Sequence, residues 1–386
     1  MRVHRGDAAE RTPRCGTNKR SREAVLSDEC YEKLAEVLDT LPNGFPRTDS
    51  GVEIRLLKKI FTPAQAELFC RLRLTFETVD EIAARNGMPV EGLKGALMGM
   101  AVRGQVFTIK PGGIRRFRML PWVFGIYEFQ LDSMDREFAE LNEEYWPYLS
   151  KQFFSDTPQL MQTLAVEETV PSHQEALPYE KVSAIVEKGR SFMVNECICK
   201  KEQGLLGKPC DRPVHVCLGI SLEPGVFEKT PSARILTKEE AFALLKMTED
   251  AGLVHLTGNV QTGHYYICNC CKCCCGVLRS INEFGVPAAR AVNSHHYAVI
   301  DADLCTGCGI CADSRCQVGA VSDEGETYAV IRERCIGCGL CVTACPAEAI
   351  RLVRKEREEI DVPPLAEDTW FDERGRRRGV DFSPYR

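Results

Sequence analysis

All but three of the 21 cysteines in this 386-residue chain fall in two tight clusters, and that spacing constrains the fold more than any other feature. Eight lie between Cys305 and Cys345 and ten between Cys197 and Cys275; Cys15, Cys30 and Cys70 stand apart. A disulfide framework suits short secreted chains, and this chain is long, with no apolar segment behind its basic N-terminus to act as a secretory signal. Thiols packed this closely in sequence point instead to metal.

The C-terminal cluster is a double run. Its second half reads Cys335-x2-Cys338-x2-Cys341-x3-Cys345-Pro346 and its first half Cys305-x2-Cys308-x2-Cys311-x4-Cys316. A short repeat precedes each run, Tyr297-Ala298-Val299-Ile300 and Tyr328-Ala329-Val330-Ile331, so the module consists of two similar halves. Cysteines at every third residue let a tight loop wrap three corners of a cubane, leaving the fourth to come from elsewhere. Gly307, Gly309, Gly337 and Gly339 allow the backbone to approach and aim N–H groups at the sulfurs. These motifs resemble the bacterial two-cluster ferredoxins, in which the fourth cysteine of each run serves the other cluster. The resemblance implies one [4Fe–4S] cluster on Cys305, Cys308, Cys311 and Cys345, and another on Cys335, Cys338, Cys341 and Cys316. The first half departs from the pattern, with one extra residue before Cys316 and Gln317 in place of the proline.

The upstream cysteines fall in two runs, Cys197, Cys199, Cys210 and Cys217, then Cys268-Asn269-Cys270-Cys271-Lys272-Cys273-Cys274-Cys275. Neighbouring residues of an extended chain face opposite ways, so one cluster cannot take them all. A site joining the runs, with candidates Cys197, Cys199, Cys210, Cys217, Cys270, Cys271, Cys273 and Cys274, requires the intervening residues to form a helical insert. An iron–sulfur cluster, structural zinc and uncoordinated thiols remain open, in that order. His215, His255 and His264 read as surface or core histidines.

The expected fold class is α+β and multidomain. A disordered arm spans 1–26, a winged-helix domain 27–120, a helical connector 121–175, a mixed helical Cys-rich domain 176–285, a ferredoxin-like two-cluster module 292–354 and a flexible charged tail 355–386. The winged-helix pattern comprises helices over Pro63–Leu72, Val79–Asn86 and Pro89–Arg103, then strands Val106–Lys110 and Ile114–Leu120. The helix before them carries Tyr31, Leu34, Val37, Leu38 and Leu41 on one face, behind a cap at Ser27 or Asp28. The arrangement is similar to a group of microbial [4Fe–4S] binding proteins, on Leu41–Pro46, the segment Gly125-Ile126-Tyr127-Glu128-Phe129, the Cys268–Cys275 run and the ferredoxin repeat.

A formal charge of −6 argues against a nucleic-acid-coating protein. The wing is nevertheless basic, with Lys110, Arg115, Arg116 and Arg118, and the third helix adds Lys94 and Arg103. No P-loop, dinucleotide fingerprint or nucleophile–base group stands out. The expectation is a cytoplasmic electron carrier or oxidoreductase subunit without its own substrate site, working with a redox partner protein and no membrane. A redox-sensing winged-helix DNA regulator is the alternative. A third reading is an enzyme whose middle cluster has an open iron site.

Overall fold

The computed structural model describes residues 19–170, 177, 180–228 and 233–386, with side chains from residue 28 onward. The first 18 residues of the expected arm lie outside the described residues. Helix α1 (Lys19–Thr40) begins ahead of the expected cap, and Tyr31, Leu34, Val37, Leu38 and Leu41 are all buried as their spacing requires. A helix not anticipated, α2 (Val52–Ile60), follows. Reciprocal capping boxes start the next two: Thr62 with Gln65 at α3 (Pro63–Phe69), and Thr78 with Glu81 at α4 (Val79–Asn86). Helix α5 (Leu93–Val102) is shorter than expected because Gly92, at φ 78°, turns the chain left-handed before it. Strands β1 (Val106–Ile109) and β2 (Arg116–Met119) then pair antiparallel.

The connector supplies α6 (Arg136–Phe153), capped by Asp135, and a strand, β3 (Met161–Leu164). Beyond it run α7 (Val182–Lys188), β4 (Ser191–Glu196), α8 (Ile198–Leu205), β5 (His215–Ser221), β6 (Arg234–Leu236), α9 (Lys238–Asp250), β7 (Val254–Gly258) and β8 (Tyr266–Cys270). Helices α10 (Gly276–Asn282) and α11 (Ala288–Ala291) then lead to β9 (Val292–Asn293).

Seven strands form one sheet in the order β6-β4-β5-β8-β7-β3-β9. Every pairing is antiparallel except that of β3 with β9. The insert between the cysteine runs does carry a helix, α9, but it also supplies strands β6 and β7 and parts of β5 and β8, so a sheet rather than helices alone joins the two runs. Alternating apolar residues explain it. Phe192 and Val194 of β4, with Leu218 and Ile220 of β5, bury one sheet face against α7 and against Ala241, Leu244 and Leu245 of α9. The sheet crosses the expected limits of the connector and the Cys-rich region, since β3 lies upstream of that region and β9 downstream.

The C-terminal module is two interlocked halves. Strand β10 (His296–Ile300) pairs with β13 (Ile350–Arg354), so the first strand of one half closes on the last strand of the other. Strands β11 (Val321–Asp323) and β12 (Tyr328–Val330) make the second pair, and α12 (Leu340–Thr343) lies within the second cysteine run and carries Cys341.

The charged tail is a structural element, correcting the expectation that it is flexible. Helix α13 (Glu367–Arg378) buries Trp370, Phe371 and Arg374. Arg374 is 1% exposed, lies over the rings of Phe153 and Trp370, and donates to the carbonyls of Pro42, Phe153, Asp156 and Pro158. Trp370 donates to the Gln159 carbonyl at 2.9 Å. Loop carbonyls distant in sequence thus share one cation. Arg374→Met should leave them buried without a donor and lower unfolding stability by on the order of 3 kcal/mol, read as a reduced midpoint in denaturant titration. The neighbouring exposed substitution Arg376→Met should change it by less than about 0.5 kcal/mol.

Candidate metal centre

Two cavities lie in the C-terminal module. One is lined by Cys305, Cys308, Cys311 and Cys345 with Ile300, Ile310 and Ala349. The other is lined by Cys316, Cys335, Cys338 and Cys341 with Val318, Ala320 and Ile336. Each draws three cysteines from one half and one from the other, as the strand exchange of β10 and β13 requires. The extra residue before Cys316 is absorbed by a wide turn in which the Cys316 N–H reaches the Cys311 carbonyl, five residues back, at 2.9 Å. Cys316 therefore still reaches the second cavity.

Backbone donors face the sulfurs there: the Ala320 N–H lies 3.1 Å from Cys316 Sγ and the Ala298 N–H 3.4 Å from Cys335 Sγ. All four motif glycines have positive φ, and at Gly337 a Cβ would come within 2.2 Å of the His296 carbonyl oxygen. Burial raises the thiols of Cys335 and Cys341 and takes that of Cys338 to about 12. Those cysteines are stable in the interior as neutral thiols or as thiolates bound to positive iron. The donor set and its apolar lining thus fit a [4Fe–4S] cluster at each cavity.

Gln317, in the position where ferredoxins carry proline, braces the module against the upstream cysteines. Its Oε1 accepts from the Lys272 N–H at 3.0 Å, and its carbonyl accepts from Asn282 Nδ2 at 2.9 Å. A proline would keep the carbonyl that meets Asn282 but has no side-chain oxygen for the Lys272 N–H.

The ten upstream thiols divide into two groups. One contains Cys210, Cys271, Cys273 and Cys274. The other six lie as neighbouring sulfurs in two sets, Cys197 beside Cys199, and Cys268 beside Cys217 and Cys270 with Cys275 next to Cys270. Strand geometry produces the split. Cys268 and Cys270 are two apart on β8 and share a face, whereas the turn after β8, with the Cys275 N–H on the Cys271 carbonyl at 3.1 Å, redirects Cys271, Cys273 and Cys274. Cys268 and Cys275 were absent from the sequence candidates, and the period-two alternation of a strand could have flagged Cys268. Bonds from Cys217 and Cys270 hold the Cys268 thiol well below its ordinary value. Bonds from Cys273 and Cys274 bring Cys271 down to about 5. No disulfide links any described cysteine.

Helix α6 holds this region together. Trp146 Nε1 donates to the Gly276 carbonyl at 3.2 Å, and a Cβ at Gly276 would meet the Trp146 ring at 2.0 Å, so glycine is required immediately after Cys275. Arg279 of α10 forms a two-pronged ion pair with Glu143 of α6 at 2.8 Å. Glu202 of α8 accepts from Tyr127 Oη at 2.6 Å and Asn142 Nδ2 at 2.8 Å. The histidines play no part in the four-thiol group: His255 is a core residue bonded to Asn269 at 2.6 Å and held to about 4 by burial.

The basic wing is partly consumed by internal contacts. Arg118 pairs with Glu367 of α13 at 2.6 Å and lies over the Phe76 and Phe107 rings. Arg115 donates to Thr108 Oγ1, and Arg116 lies 3.7 Å from Glu81. No helix among the described residues is long and apolar enough to cross a membrane.

Comparison with known proteins gives a match to the family described as 4Fe-4S binding domain over residues 328–351. Electron transport protein HydN of Escherichia coli, in strains K12 and O157:H7, is 31% identical over 93 residues, covering 22% of this chain. The chain spans 53% of the length of those relatives. No solved structure matches the chain.

Burial raises the Glu202 carboxyl to about 7. The folded protein therefore keeps a proton that the unfolded chain releases above its ordinary value of 4.5, so this group removes stability as pH rises from about 4.5 to about 7. Glu202→Gln copies the neutral acid, and Asn142 Oδ1, buried without a partner, can accept its amide after a flip of the Asn142 amide. Wild type should lose stability across that window at up to roughly 1.4 kcal/mol per pH unit relative to the variant, measured by thermal midpoints at several pH values.

Proposed function

We propose that the chain is an iron–sulfur electron-transfer protein with two [4Fe–4S] clusters in its C-terminal module. The observation that carries this reading is the pair of cavities, each ringed by four cysteines drawn from both halves. Cys305, Cys308, Cys311 and Cys345 would hold one cluster, and Cys316, Cys335, Cys338 and Cys341 the other. Bound there, each cluster accepts and returns single electrons.

The protein's part is to exclude water and stabilise charge. Ile300, Ile310 and Ile336 line the cavities, and the N–H groups of Ala298 and Ala320 meet thiolate charge at Cys335 and Cys316. Cys308 is exposed while Cys335 and Cys338 pack against the main core, so the first site is the natural contact for a redox partner protein. The printed name of the HydN relatives, electron transport protein, agrees with this role. Four of the six remaining upstream thiols, from Cys197, Cys199, Cys217, Cys268, Cys270 and Cys275, would spread to hold a further cluster and extend the electron path.

Helices α3 to α5 with the β1–β2 hairpin follow the order of a winged helix, and we assign it a protein-contact role. The engagement of Arg118 by Glu367 weighs against the DNA-regulator alternative.

Anaerobic purification with iron and sulfide counted per chain tests the reading. About eight irons are expected from the module alone and about twelve with the further cluster, together with an EPR signal on reduction. Fewer than about four irons per chain would overturn it.

A further inference from the structure

We propose that Cys210, Cys271, Cys273 and Cys274 form a second kind of metal site, which binds one thiophilic divalent ion, zinc by default, in a tetrahedron of four thiolates. The proposal stands independently of the ferredoxin reading, because none of these sulfurs lines either cavity of the C-terminal module.

Sulfur spacing decides between one ion and a cluster. Cys210 Sγ lies 3.7 Å from Cys271 Sγ and 3.6 Å from Cys273 Sγ. Cys271 and Cys273 are 3.3 Å apart, and Cys273 and Cys274 3.6 Å. All four lie within 4.8 Å of one another. A tetrahedron with metal–sulfur bonds of about 2.3 Å places its sulfurs ~3.8 Å apart, which these positions meet with small adjustments. A cubane's thiolates radiate from four different irons and stand much farther apart. Among the described residues this is the only group of His, Cys, Asp or Glu gathered tightly enough for one ion, whereas the cavity cysteines of the module are not so gathered.

The chain surrounding the sulfurs suits a closed structural site. Three ligands come from one four-residue turn and the fourth from a loop some 60 residues earlier, the two brought together by β5 and β8 pairing in the sheet. Cys271 and Cys274 pack with Val216 and Leu253 while Cys273 lies at the surface, and among the described residues no His, Asp or Glu joins the four thiols. Four thiolates around a divalent ion leave two negative charges. Lys200, 3% exposed with its ammonium on the Pro213 carbonyl, is a buried positive charge whose field reaches Cys271. The ion would lock the turn that Gln317 grips through the Lys272 N–H, and so fix the C-terminal module against the sheet.

The test uses the full chain purified anaerobically from cells grown with zinc or with cobalt, alongside a Cys271→Ser/Cys274→Ser double variant. Expected results are about one zinc per chain beyond the iron, and from cobalt medium the visible d–d bands of a tetrahedral cobalt–thiolate site. The double variant should lose that one ion and those bands while keeping its iron content and reduced EPR signal, which also shows that it has folded. Loss of a single iron in place of zinc would equally support a one-ion site. Loss of about four irons in the variant, or wild-type protein with no stoichiometric zinc, no cobalt bands and no single iron that the variant loses, would overturn the proposal. A failed ferredoxin reading would appear separately, as low iron in wild type.

Discussion

Gathering sulfurs from segments far apart in the chain is the constraint on which this structure depends. Thiols buried together are unfavourable as bare charges, so they need a positive partner and a scaffold that fixes their spacing. The C-terminal module meets this by exchanging strands between its halves, with β10 closing on β13. Neither half supplies four cysteines to a cavity by itself. The upstream thiols meet the same constraint differently, by sheet pairing of β5 with β8, which draws Cys210 and Cys217 to the Cys268–Cys275 run.

Rigid supports surround these sites. Helix α6 contacts α8 and α10 through the Trp146, Glu143 and Asn142 side chains, and both of those helices begin at cysteines, Cys197 and Cys275. Helix α13 returns from the C-terminus to clamp Pro42 and the loop after α6 with Arg374. Gln317 then joins the C-terminal module to the thiol-bearing turn. Electron transfer benefits from such stiffness, because ligand movement accompanying each electron adds to the barrier.

Two kinds of sulfur environment coexist within one chain, and spacing distinguishes them. Cysteines ringing an apolar cavity suit a polynuclear cluster, whereas four sulfurs in mutual contact suit one ion. The buried carboxyl of Glu202 lies on α8, the helix that Cys197 caps, and its raised value reflects the same apolar surroundings.

Local signals carried much of this in the sequence. The Cys-x2-Cys-x2-Cys spacing, the tandem repeat, the helix face of α1 and the hairpin of β1 and β2 all depend on neighbours a few residues away, which is why periodicity exposes them. The seven-stranded sheet was hidden because β3 comes from the connector and the edge strand β9 from the residues just ahead of the ferredoxin repeat, and pairing between distant strands leaves no local mark. Helix α13 was hidden because an Arg-rich run reads as a solvated tail until the carbonyls that receive Arg374 are known. The sequence by itself determined the double Cys-x2-Cys-x2-Cys run and the repeat ahead of each half, and its resemblance to two-cluster ferredoxins implied ligands shared between halves. Only the tertiary structure decided how the ten upstream thiols divide, because the face on which each sulfur emerges depends on where β8 ends and the turn begins.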